Sequence, residues 1–164
     1  MIRRGQATLE YIAAYAGILL PLTLALTFTS ELLWVWHSVN DFTREGARYA
    51  ATRCWQGGGN VTAWMRNNVP LTFDRDQFQS GQVEIQVEYF ARDPDSGAIA
   101  AFECDGAECS RECVPDLVRV SIANYEFRAF LSYLRLPPVP IPNFQTTMPM
   151  ESAGCSADEQ ECTP

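Results

Sequence analysis

From Tyr11 to Ser30 the chain carries no charged side chain. A run of this length, rich in Leu, Ala and Ile, extends about 30 Å as a helix, enough to cross a bilayer's hydrocarbon core. Ahead of it stand Arg3, Arg4 and Gly5, then a stretch from Gln6 whose one charge is Glu10. Burying a carboxylate at the head of a membrane segment costs on the order of a few kcal/mol, so its default reading is functional. Positive charge stays on the cytoplasmic side, so Arg3 and Arg4 hold the N-terminus there.

Two other readings of this stretch are weaker. A conventional secretory signal also has a basic start and an apolar core. The small-x-small sequence Ala14-Tyr15-Ala16, however, falls far too early in the apolar run. Arg3-Arg4 by itself is poor evidence for twin-arginine export.

The sequence Gly5-Gln6-Ala7-Thr8-Leu9-Glu10-Tyr11 resembles a class III, type IV pilin signal. That pattern is a short basic leader, a Gly, a Glu at the fifth position of the mature chain, and an apolar helix. The resemblance implies cleavage by a prepilin peptidase between Gly5 and Gln6. It also implies an assembly role for Glu10, with Tyr11 beside it: the carboxylate would neutralise the new α-amino group of a neighbouring subunit. Opposite charges attract strongly where water is scarce. The plain alternative is an uncleaved anchor with a stray Glu.

At 164 residues there is room for one small domain beyond the helix. Residues 55–164 hold seven Arg against sixteen Asp and Glu. Such an acidic surface argues against non-specific nucleic-acid binding, which needs basic patches to displace phosphate counterions. The twelve basic residues are all Arg, which reads as compositional bias and not as a binding device.

Six cysteines are present: Cys54, Cys104, Cys109, Cys113, Cys155 and Cys162. Outside the cytoplasm disulfides are their expected state. Proximity suggests Cys155 with Cys162, and Cys104 with either Cys109 or Cys113, leaving one for Cys54; sequence does not choose among the pairings. The C-x4-C-x3-C spacing lacks the usual C-x2-C zinc knuckle and has no nearby His, so no metal is expected.

Gln6 to about Cys54 reads as one helix, roughly 70 Å long, which Pro21 should kink or loosen. Beyond Ser30 the residues Val35, Val39, Phe42, Gly46 and Tyr49 form a helical stripe. His37, Asp41, Arg44, Glu45 and Arg48 lie mostly off it, and Glu45 can pair with Arg48 at i, i+3. Trp34 and Trp36 suit a membrane–water interface, which makes His37, the sole histidine, an interfacial side chain and not a catalyst.

The segment Arg44-Glu45-Gly46-Ala47-Arg48-Tyr49-Ala50-Ala51-Thr52 resembles the end of the long helix in TadE-like pseudopilins of the tight-adherence (Tad) pilus. Its small residues allow another element to approach closely. The resemblance implies that this element is the domain's own sheet.

Gln56-Gly57-Gly58-Gly59 should break the helix without the context of a phosphate loop. Asn60 is placed to cap a short helix ending at Asn68, ahead of Pro70. Asn60-Val61-Thr62 matches a glycosylation sequon, a pattern common by chance. Gln82 to Phe90 alternates as a half-buried strand, with Val83, Ile85, Val87 and Tyr89 on one face and Glu84, Gln86 and Glu88 on a solvated one. Asp93 to Gly97 reads as a turn, too short for an EF-hand calcium loop. Residues 103–116 form an acidic, cysteine-bearing loop. Leu117 to Phe130 is a second strand region, with Tyr125-Glu126-Phe127 continuing it. Pro137 to Pro142 impose an extended connection, and Asn143 to Met150 forms a third strand that its prolines confine to an edge. The strand, long connection and closing Met148-Pro149-Met150-Glu151 resemble the C-terminal half of TadE-like proteins.

The reading is therefore an α+β chain: a long N-terminal transmembrane, pilin-like helix packed on a small antiparallel β-sheet domain. Its parts are a leader (1–5), a transmembrane helix (6–30), its periplasmic continuation (31–54), a small domain (55–150) and an acidic tail (151–164). The expected role is assembly, priming or capping of a Tad-type pilus from the bacterial inner membrane. The expected partners are prepilin peptidase, other pilin or pseudopilin subunits and the inner membrane, with no nucleic acid. No catalytic constellation and no cofactor is expected. The alternative is an uncleaved membrane-tethered binding or adhesion module with an acidic, disulfide-stapled head.

Overall fold

A computed structural model of the chain describes residues 3–55, 58–104, 113–128, 131–132 and 135–151, with backbone alone at 3–6 and 58–59. The chain divides after Trp36 into two units.

The first unit is helical throughout its described part. Helix α1 runs Arg3–Ala14, a π-helical segment spans Tyr15–Leu19, and α2 begins at Leu20 and continues to Ala51. The expected disturbance at Pro21 takes the form of this π segment, where the Leu20 N–H donates to Tyr15 C=O, five residues back. Proline lacks an N–H and its ring crowds the carbonyl four residues earlier, here Gly17. Widening the preceding turn relieves that crowding without ending the helix. The hydroxyls of Thr23, Thr27, Thr29 and Ser30 donate back to carbonyls three or four residues earlier, at 2.8–2.9 Å. Each is thereby satisfied within its own helix, as an apolar surround requires.

The second unit is a small α+β domain. Its described residues contain the end of α2, helices α3 (Gly58–Asn67) and α4 (Arg75–Gln79), and six strands: β1 (Glu84–Arg92), β2 (Ile99–Ala101), β3 (Leu117–Ala123), β4 (Glu126–Phe127), β5 (Val139–Pro140) and β6 (Phe144–Pro149). Four of these form an antiparallel sheet in the order β2-β1-β3-β6, and β4 pairs with β5 separately. The alternation read in β1 and β3 is observed: Ile85, Val118, Val120 and Ile122 are buried, while Glu84, Gln86 and Glu88 are exposed. Pro149 ends β6 at the sheet's edge, the place its missing N–H permits.

Four expectations are corrected. Helix α3 begins at Gly58, so Asn60 lies in its first turn and is not its cap. The strand expected to continue through Tyr125-Glu126-Phe127 stops at Ala123. Asn124 adopts φ 62° there, and β4 leaves the main sheet to pair with β5 inside the proline-rich connection. Asn is one of the few residues that tolerates this left-handed turn. The ion pair on α2 joins Asp41 to Arg44 at 3.9 Å in place of Glu45 with Arg48. The element approaching Gly46 is α3, not the sheet: a Cβ on Gly46 would stand 2.6 Å from Met65 Sδ.

Val39, Phe42 and Gly46 of the α2 stripe are buried, together with Ala47 and Ala50 beside it. An aromatic cluster closes the core. Phe42 meets Phe73 and Phe78 edge-on at 5.7 and 6.0 Å, and Tyr125 lies 5.7 Å from each of the latter two. Such pairs contribute about 0.5–1.5 kcal/mol each beyond their buried area.

Candidate functional site

From Leu9 to Leu26 the apolar side chains of the N-terminal unit point outward around the helix. Leu9, Tyr11, Ile12, Ile18, Leu22, Leu26 and Trp34 are all more than half exposed. A helix apolar all round is a core helix or a membrane span, and none of the most apolar stretch is buried within the protein. One N-terminal helix, Ala7–Ala51, is long and apolar enough to span a membrane.

The residues singled out at its head are brought together on α1. Gly5 and Gln6 lie in its helical backbone, ahead of the π segment that starts at Tyr15. Extending the backbone here requires unwinding this first turn, and Gly5 lowers the cost of doing so. Glu10 is exposed. Tyr11 stacks on Tyr15 one turn on, with ring centroids 6.4 Å apart.

In the domain, His37 is exposed on α2. Among the described residues no three His, Cys, Asp or Glu side chains converge as a metal site would require. Of the disulfide candidates, Cys104 bonds Cys113 across nine residues, with Cα atoms 5.8 Å apart. This selects one of the two partners left open for Cys104. Cys54 is disulfide-bonded as well. Cys109, Cys155 and Cys162 lie outside the described residues, as do 105–112 of the acidic loop and all but the first residue of the tail.

Beside Cys54 the ring of Trp55 packs edge-on against Phe102 at 5.2 Å and Tyr89 at 6.4 Å. Trp55 Nε1 and Tyr89 Oη are buried without a hydrogen bond. Desolvation raises the Tyr89 hydroxyl from its ordinary 10.0 to about 12, so it stays neutral.

Across the sheet's outer face Arg119 reaches Glu88 at 3.7 Å, stacks over Phe90 at 4.5 Å and donates to Thr147 Oγ1 at 3.3 Å. This ladder links three strands. Glu84 and Glu88 are solvated side chains, and neither faces an acid partner in acid/base geometry. At the other end Glu126 accepts from Arg128 at 2.7 Å and from Gln82 at 3.1 Å. The Arg128 guanidinium, then the Gln82 amide, hold its carboxyl below the ordinary Glu range.

Sequence periodicity did not reveal the aromatic cluster or the Trp55–Tyr89 corner. Their members come from α2, α4, β1 and the turns between them, so no single periodic segment brings them together. Periodicity marked Phe42 and Tyr89 as inward-facing but not their partners Phe73, Phe78, Tyr125, Trp55 and Phe102, which lie outside the segments read as periodic or, for Tyr125, at their end. No protein-family model, no curated protein and no solved structure matches this chain.

Proposed function

We propose that this chain is a TadE-like pseudopilin, a structural subunit that assembles, primes or caps a Tad-type pilus and performs no catalysis. The observation that carries this reading is an unbroken helical backbone whose apolar side chains from Leu9 to Leu26 are exposed around the helix, with Glu10 at its head. In this reading prepilin peptidase cuts after Gly5. The mature chain then waits in the inner membrane with its domain in the periplasm, and Glu10 sets register against a neighbouring subunit. The antiparallel domain that follows the helix is compatible with that role.

The test is the mature N-terminus, read by intact mass and terminal peptide mapping of protein from native membranes. A chain beginning at Gln6 is expected. A chain that still carries Met1 or Ile2 overturns prepilin processing and leaves a single-pass tether bearing a binding head.

A further inference from the structure

Strand β6 forms one edge of the four-stranded sheet, and its hydrogen-bonding direction can be followed residue by residue. The Met150 N–H donates to Asp116 C=O at 2.9 Å, and the register pairs Met148 with Val118, Thr146 with Val120 and Phe144 with Ile122. Peptide groups alternate sides along a strand, so those of Phe144, Thr146 and Met148 face β3. Those of Gln145, Thr147 and Pro149 face away. Gln145 and Thr147 are exposed, and among the described residues no backbone hydrogen bond reaches them from the open side.

Edges of this kind are normally guarded by charge. Here no charged residue occurs from Leu136 to Met150, in a chain of net charge -8. The β6 edge is thus an uncharged window on an acidic molecule. A second copy approaching along this strand meets no like charge on the strand itself.

We propose that β6 pairs with β6 of a second copy, antiparallel about a two-fold axis at Thr146, joining two four-stranded sheets into one. A two-fold contact sets a patch against itself. Gln145 then lies opposite the partner's Thr147, and Thr147 opposite the partner's Gln145. Both are outward-facing residues, so each opposed pair exchanges two N–H···O=C bonds. Pro149, with no N–H to give, falls opposite the partner's Asn143, at the end of the pairing where its missing donor costs least. The other edge, β2, is a poorer match. It offers three residues against six and is flanked by Arg92, Asp93 and Asp95. This pairing does not depend on entry into a pilus.

The test uses the full chain in detergent, diluted well below one copy per micelle, with mass read by native mass spectrometry. Wild type is expected to form a dimer. Gln145→Glu with Thr147→Glu sets like charges opposite each other and should raise the dimer dissociation constant roughly tenfold or more. Gln145→Arg with Thr147→Glu sets opposite charges there and should restore the dimer. Glu at 147 also has Arg119 beside it, so both doubles have a partner within the sheet. Gln145→Glu alone, expected to weaken the dimer less, serves if a double fails to fold. A monomeric wild type overturns the proposal. So does a dimer indifferent to the two glutamates, which would place association elsewhere. Loss in both doubles with the native fold retained also overturns it, because the edge would then take some other strand.

Discussion

Gln77 and Glu126 hold each other from both sides. Gln77 Nε2 donates to Glu126 C=O at 2.9 Å, and Gln77 Oε1 accepts from Glu126 N–H at 3.0 Å. The same Nε2 donates to Asp74 Oδ2 at 2.9 Å. Gln77 is 1% exposed, so one side-chain amide satisfies the two peptide groups of β4 that face α4. Tyr125 adds a second tie, its hydroxyl accepting from Asp74 N–H at 3.3 Å.

Replacing Gln77 by Leu keeps the volume but leaves both Glu126 backbone groups unpaired. Each buried orphan costs about 1–3 kcal/mol, so a loss of about 2–6 kcal/mol is expected. Denaturant unfolding of the full chain in detergent measures it. Gln77→Glu should also destabilise, since it removes the donor and sets a carboxylate against Asp74.

Gly46 sits under Met65. A Cβ there would lie 2.6 Å from Sδ and 2.8 Å from Cε, the far end of a flexible side chain. Gly46→Ala gains about 1 kcal/mol of helix propensity and loses about as much to displacement of Met65. The expected result is near neutrality. Gly46→Leu cannot be accommodated and should cost on the order of 3 kcal/mol, partly recovered by adding Met65→Ala. A double-mutant cycle in thermal unfolding reads this coupling.

Stability should weaken at both ends of the pH range. Glu126 has a folded-state pKa below its unfolded one, chiefly through Arg128. Its contribution is present above the ordinary Glu pKa and is lost as pH falls through the lowered value. Asp93 acts in the same direction, because its carboxylate accepts from the Ser96 and Asp95 backbone N–H groups. Tyr89 is the opposite case. Its raised pKa leaves stability intact below about pH 10 and withdraws it between there and about 12, as the unfolded chain ionises first. Glu126→Gln should flatten the acid limb of a Tm-against-pH curve, and Tyr89→Phe the alkaline limb.

Glu10→Leu separates assembly from anchoring. Removing the carboxylate makes membrane insertion more favourable by a few kcal/mol. In a pilin-like subunit the chain should still reach the membrane, at equal or higher level, yet fail to enter the assembly. Fractionation and recovery of filaments from the cell surface read the two effects separately. Unchanged assembly would remove Glu10 from the proposed contact.

The long helix does end before the glycine run 56–59, at Ala51, but the run does not stay outside helix throughout. Four residues in a row with Gly at three positions suggest a breaker, yet α3 already begins at Gly58. Val61 and Met65, both fully buried, provide the packing that outweighs glycine's poor helix propensity. Residue Asn124 shows the reverse: a single positive φ ends a strand that alternation alone would have carried on.

The sequence by itself determined the elements whose burial is periodic. The charge-free run at the head of the long helix, the stripe Val39–Phe42–Gly46, the alternation of β1 and β3, and the edge position of β6 all follow from where apolar, charged and proline residues recur. Such patterns register one residue's environment at a time. The tertiary structure alone decided which distant residues meet: Gln77 with Glu126, Phe42 with Phe73 and Phe78, Gly46 with Met65, and Cys104 with Cys113 among two near neighbours. These contacts depend on how helices and strands stack in three dimensions, and spacing along the chain carries no term for that.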